Sequence, residues 1–205
     1  MKRFLILFTV SVFLISCMSF FIPIYEYNDI YTDIIRLHVI ANSDSQRDQE
    51  LKLSVRDEIL SAVSDCVEGV NDTEGALALL SENIDNLNEC ARQVITEKGF
   101  EYDVKTALSV EYYPTRTYED ATLPCGEYNS LRIVIGEGEG QNWWCVLFPP
   151  VCTGSASVKE ELNETGFTAD QIRLITDTDS KEYNVKFKCV EYLSSMKQKI
   201  KKLFS

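Results

Sequence analysis

Between Gln46 and Val67 the residues Leu51, Val55, Ile59, Val63 and Val67 fall four apart, with Leu53 and Leu60 beside them. Only an α-helix gathers such a set into one stripe, and that stripe must be covered by another part of the chain. Asn42-Ser43-Asp44-Ser45 supplies turn and capping side chains ahead of it, and Gly69 ends it. Asn71-Asp72-Thr73 then opens a second helix, where Ala76, Leu80, Ile84, Leu87, Ala91, Val94 and Ile95 repeat the pattern up to Gly99, a left-handed cap. Two such helices need an apolar surface to lie on, and the remaining segments are β-prone.

Ile30 to Ala41 is rich in β-branched residues and is predicted as a strand, as is Tyr102 to Tyr113, which Pro114 ends. Leu131 to Ile135 and Asn142 to Phe148 flank a glycine-rich connection and are predicted as a hairpin. In Asn142–Phe148 the residues Trp143, Cys145 and Leu147 alternate with Trp144, Val146 and Phe148, so both faces are apolar. Such a strand is covered on both sides or meets a partner on one. Further on, Ser157 to Asn163 suggests a short helix. Val185 to Phe204 suggests a last one, with Lys197, Lys199, Lys201 and Lys202 toward its C-terminus. The expected fold is α+β: a single domain with a mainly antiparallel sheet covered by two or three amphipathic helices, behind an N-terminal membrane-entering segment.

That segment is residues 1–25. Lys2 and Arg3 precede an almost uncharged run from Phe4 to Tyr25, a positive start followed by a membrane-entering stretch. Three outcomes remain open. The run is a cleaved signal peptide; or, at about 20 residues, an uncleaved anchor; or a lipoprotein signal in which Leu14-Ile15-Ser16 precedes a lipidated Cys17. Each puts the rest of the chain outside the membrane, so the protein is expected to be exported.

Export changes what seven cysteines imply. Setting Cys17 aside leaves an even number, compatible with disulfides in an oxidising compartment. There is no C-x-x-C, and the single histidine is remote from the thiols in sequence, so no metal site is expected. Cys145 and Cys152 flank Pro149-Pro150, and their link would close an eight-residue loop worth about 2.5 kcal/mol in the chain-entropy model. Two buried thiols are the plainer alternative. Cys66 and Cys90 are not expected to pair, because helices folding back near Asn71 would leave them offset by about 20 Å.

The other candidate sites have plain structural explanations. Gly136-Glu137-Gly138-Glu139-Gly140 lacks the lysine and hydroxyl of a phosphate loop and joins strands rather than opening a helix, so no nucleotide or other cofactor is expected. The formal charge of −12 argues against nucleic acid, whose binding is driven by Lys and Arg. His38 could act as a base for Ser43 or a thiol, but a histidine within an apolar strand pattern is more often a hydrogen-bonded structural residue. Asp44, Asp48 and Asp57 sit where capping or a solvated helix face explains them, and Arg36, Arg56 and Arg132 are expected to pair with such carboxylates.

Taken together, Arg36-Leu-His-Val-Ile-Ala-Asn42-Ser-Asp44-Ser45, Asp48-Gln-Glu-Leu-Lys-Leu-Ser-Val-Arg56-Asp57, Tyr113-Pro-Thr-Arg-Thr-Tyr118 and Leu131-Arg132 through Asn142-Trp-Trp-Cys-Val-Leu-Phe-Pro-Pro-Val-Cys152 resemble the stage II sporulation protein R family. The resemblance covers residues 30–155 as the family core; residues 156–205 form a C-terminal extension, predicted to end in an amphipathic basic helix, that carries no motif of the family. Leu123-Pro-Cys125-Gly departs from the small residue expected in place of Cys125. The resemblance implies a signal rather than an enzyme, made in the forespore and exported across its membrane to the intermembrane space. Its implied partner is the membrane-embedded aspartic protease of the mother cell, stage II sporulation protein GA, which processes the precursor of sigma E. On this view the Trp-Trp segment is core plus recognition surface, with Trp143, Trp144, Phe148, Pro149 and Pro150 the candidate partner-binding residues. Two rivals are an exported hydrolase built on His38, and a cell-envelope binding protein lipid-anchored at Cys17.

Overall fold

A computed structural model describes residues 30–118, 121–150 and 167–177, with the short pieces 4, 8–13, 162, 163, 165 and 192. Its elements in chain order are β1 (Ile35–Ile40), α1 (Gln46–Cys66), α2 (Thr73–Glu82), α3 (Ile84–Glu97), β2 (Val104–Tyr113), β3 (Arg116–Tyr118), β4 (Ala121–Leu123), β5 (Gly126–Ile135), β6 (Asn142–Phe148) and α4 (Ala169–Thr176).

The main sheet has the order β2-β5-β1-β6, and β3 pairs with β4 in a separate hairpin. β1 runs parallel to β5 and antiparallel to β6, while β2 is antiparallel to β5. The sheet is therefore mixed, and β5 and β6 do not form the expected hairpin, because β1 lies between them. Ile35, Leu37 and Val39 are wholly buried, and a strand this apolar belongs at the centre of a sheet. The glycine run between β5 and β6 consequently bridges the end of β1. Glu139 N–H donates to Asn42 C=O at 3.2 Å and Gly140 N–H to Ala41 C=O at 2.9 Å. A Cβ on Gly140 would stand 2.3 Å from the Ser43 carbonyl oxygen, and Gly136 and Gly138 have φ of +57° and +67°. These glycines are needed for a chain crossing.

Two further expectations change. Residues 30–32 are helical rather than extended, and the strand begins at Ile35; Ile30 and Ile34, four apart, are buried in the same cluster. The second long helix is broken into α2 and α3 at Asn83, whose side-chain Nδ2 donates to Leu79 C=O at 2.9 Å. A short amide side chain competing for a backbone carbonyl in this way disfavours a continuous helix.

Two cores follow from this layering. Leu51, Val55, Ile59 and Val63 of α1, with Leu80, Leu87, Ala91 and Ile95, pack on Leu37, Val39, Leu131 and Ile133. The opposite sheet face carries a second cluster, where Ile34, Tyr113, Tyr128 and Val146 meet Leu123, Phe167, Ile172 and Ile175. Each fully buried Leu or Ile contributes about 1.5–3 kcal/mol. α4 was not anticipated, although Thr168 and Gln171 form a reciprocal capping box at its start, a pattern visible in sequence.

Among the described residues no helix is long and apolar enough to cross a membrane. The run from Phe4 to Tyr25, Cys17 and the helix expected from Val185 to Phe204 lie largely outside the described residues, as does Ser157–Asn163 apart from its last two positions.

Candidate functional site

The strand alternation of β1 sends Leu37 and Val39 toward the helices and Arg36 and His38 to the other face. There His38 is held at both ring nitrogens. Nδ1 lies 2.8 Å from Glu111 Oε2 on β2, and since a carboxylate only accepts, Nδ1 donates to it. Nε2 lies 2.7 Å from Asn142 Oδ1 on β6. Glu111 also pairs with Arg132 Nη1 at 3.1 Å and accepts from Ser130 Oγ at 3.2 Å. Ser130 in turn meets the Tyr113 hydroxyl at 2.7 Å. Burial pushes the Tyr113 phenol up, despite the Ser130 hydrogen bond and the Arg36 charge, so it stays a neutral hydrogen-bonding group. The chain Tyr113–Ser130–Glu111–His38–Asn142 ties together all four strands.

Ser43, the nucleophile a hydrolase would have used, is elsewhere. Its hydroxyl donates to Asp48 Oδ2, which also accepts from Asn42 Nδ2 at 2.9 Å. Tyr102 OH donates to Asp48 Oδ1 at 3.2 Å. His38 and Ser43 are therefore not brought together. Asp48 proves to be buried rather than on a solvated helix face. Its burial opposes ionisation, but the hydrogen bonds from Ser43, Asn42, Tyr102 and Ser45 prevail and hold the carboxyl below the usual range. Asn42 extends this knot to the crossing loop, because its Oδ1 accepts from Glu137 N–H at 3.0 Å. Asp44 stays exposed in the turn before α1.

The three arginines divide. Arg132 pairs with Glu111, and Arg56 Nε donates to Asp57 Oδ1 at 2.8 Å. Arg36 departs from the expected carboxylate pairing. It is 0% exposed and stacks 4.0 Å over the Tyr113 ring, 4.9 Å over Tyr128 and 5.7 Å over Tyr118. Its Nη2 donates to the Tyr118 hydroxyl, while Nε and Nη1 have no hydrogen-bond partner. Three π-faces take the place of a counter-ion.

Neither tryptophan is fully buried, but Trp144 packs against the second core cluster while Trp143 lies at the surface. Trp143 is 37% exposed with the Arg56 guanidinium 4.4 Å over its ring. Trp144 is half-buried, between Arg116 at 4.4 Å and the His38 ring at 5.8 Å. Cys145, Val146, Leu147 and Phe148 are buried instead. The strand tapers from its exposed start at Asn142 to its buried end, so position along the strand, not only its face, decides burial. Phe148 and Pro149 are buried and Pro150 is half-buried, which leaves Trp143 as the most exposed of the five residues expected to meet a partner.

Cys145 is disulfide-bonded, and Cys152 lies outside the described residues. Cys66, Cys90 and Cys125 are free thiols, so Cys66 and Cys90 are indeed unlinked. Burial, helped by Glu82, raises the Cys66 thiol above its ordinary value. Among the described residues no group of three His, Cys, Asp or Glu side chains could hold a metal ion.

A family model, that of stage II sporulation protein R, matches residues 31–158. Stage II sporulation protein R of Bacillus subtilis (strain 168) is 30% identical over 156 residues, covering 74% of this chain and 70% of that protein. No solved structure matches. The matched span contains every strand of the sheet and α1 to α3, the polar chain through His38, the Asn42–Asp48 knot and the Trp143-Trp144 pair, and on that match the chain belongs to the stage II sporulation protein R family.

Proposed function

We propose that this protein is an exported sporulation signal that switches on a membrane-embedded aspartic protease of the mother cell, stage II sporulation protein GA, which then processes the precursor of sigma E. The observation that carries this is the family match over residues 31–158, which spans the folded body rather than one motif. The basic, apolar start fits export across the forespore membrane, with the chain then secreted, membrane-anchored or lipidated at Cys17. The site geometry fits a signalling role, because His38 is engaged at both nitrogens by structural partners. Partner contact through the exposed Trp143 and its stacked Arg56 belongs to this proposal. Co-expression of the chain with the protease and the sigma precursor tests it. Cleavage that depends on all three supports the reading, and precursor left intact in their joint presence rejects it.

A further inference from the structure

Among the described residues the sheet ends at β2, and they leave the outer side of that strand open over a short window. Thr106 N–H donates to Asn88 Oδ1 of α3 at 3.0 Å, so Thr106 points its backbone groups away from β5. In an antiparallel ladder every second residue does the same, which makes Leu108 and Val110 outward-pointing too. Asn88 covers the strand at Thr106, and among the described residues no side chain does so at Leu108 or Val110.

Natural edge strands are shielded by brevity, proline, bulges or charge. β2 lacks the first three, and its charges sit only at Lys105 and Glu111. It runs for ten residues, pairs with β5 from Val104↔Ile135 to Tyr113↔Gly126 without a register shift, and contains no proline. Between Lys105 and Glu111 it carries no charge, and the Glu111 carboxylate is turned inward to His38 and Arg132. Leu108 packs against the main core, whereas Val110, on the same face, is 65% exposed.

What could occupy this edge is set by charge. Val110 is paired with Asn129, and Asn129 helps line a cleft with Asp72, Glu74 and Leu77 whose wall, among the described residues, contains no lysine or arginine. The whole chain carries −12, so a second copy would bring repulsion to the same place. We infer that β2 accepts an extended, basic segment of the partner protein as an added strand, pairing with Leu108 and Val110 and directing a Lys or Arg into the acidic cleft. Main-chain pairing would supply affinity, and the Val110 surface and the cleft would supply selectivity. This inference rests on the signalling role proposed above and names a surface for it at the opposite edge of the sheet from Trp143.

The test uses the full chain with the protease and sigma precursor, scoring both complex formation and precursor cleavage. Val110→Lys adds a charge to the edge, and Val110→Pro deletes the outward N–H without removing a β2–β5 hydrogen bond. Both should keep the wild-type circular dichroism and lose at least tenfold in binding and cleavage. Asp72→Asn with Glu74→Gln should weaken binding several-fold and flatten its salt dependence. Should the proline variant misfold, the exposed lysine variant decides. Wild-type levels of binding in folded Val110→Lys would overturn the inference while leaving the signalling role intact. A wild-type chain that neither binds nor activates the protease would overturn both. Self-association that Val110→Lys abolishes would replace the basic partner with a second copy.

Discussion

The Arg56 guanidinium lies 4.4 Å over the Trp143 ring, so α1 covers the more exposed of the two tryptophans with a cation rather than with core side chains. An exposed stack of this kind contributes about 0.5–1 kcal/mol. Trp143→Ala should therefore destabilise by roughly 1–2 kcal/mol, well short of the ~3–5 kcal/mol for a fully buried aromatic ring. Urea unfolding checks this. If Trp143 is also a contact for the protease, the variant will fold and lose precursor cleavage; a loss of stability in the full core range would show that the ring is structural.

Arg36 leads to a sharper contrast. Its guanidinium is buried over three tyrosines with Nε and Nη1 unpartnered. Replacing a poorly compensated buried charge with an apolar side chain of similar length is often neutral or stabilising. Arg36→Met is expected within about 1 kcal/mol of wild type, whereas Arg36→Ala should lose roughly 3 kcal/mol to the cavity. Equal large losses in both variants, measured by denaturant midpoints, would mean that the charge itself holds the tyrosine cage together.

Neither the Arg36 cage nor the Asp48 knot could be read from the sequence, and the reason is the same for both. Arg36 meets Tyr118 from 82 positions away, and Asp48 meets Tyr102 from 54, so the partners are supplied by strand order. Strand order itself was illegible because pairing is non-local. The glycine link between β5 and β6 satisfies a hairpin pattern and a crossing over β1 equally well. The stripe of α1 was legible because helical periodicity is local. The break at Asn83 was not, since Ala76, Leu80, Ile84 and Leu87 keep phase across it and the split depends on where one side-chain amide turns. His38 was correctly expected as a hydrogen-bonded strand residue, but its partners Glu111 and Asn142 come from both sheet edges.

The Asp48 knot makes stability depend on pH in a defined direction. Burial opposes the charge, yet its hydrogen bonds with Ser43, Asn42, Tyr102 and Ser45 hold the folded carboxyl below its ordinary range. A depressed carboxyl contributes stability that is present above the unfolded pKa and lost as pH falls through the folded one. Asp48→Asn should thus cost about 1–3 kcal/mol at neutral pH, and the gap to wild type should narrow below about pH 4. Melting curves from pH 7 down to pH 3 measure it. A gap that stays constant over that range would mean that the ionised form has no advantage in the fold.

His38 separates a structural polar chain from a catalytic one. Its Nδ1 is held by Glu111 and its Nε2 by Asn142, and Glu111 retains Arg132 and Ser130 when the imidazole is removed. Because Glu111 remains paired, His38→Ala strands no buried charge, and the expected loss is that of two ordinary hydrogen bonds plus some packing on Trp144, about 1–3 kcal/mol. Signalling should survive wherever the fold does, because no step of the proposed role needs a proton carried by this ring. His38→Gln, which can still donate to Glu111 or Asn142, should recover part of the lost stability. The decisive comparison is precursor cleavage against thermal melting in the same variants. Cleavage that falls in proportion to the unfolded fraction fits a polar chain that holds four strands in register. Cleavage abolished in both variants while their melting and circular dichroism match the wild type would require His38 to act directly in the signal.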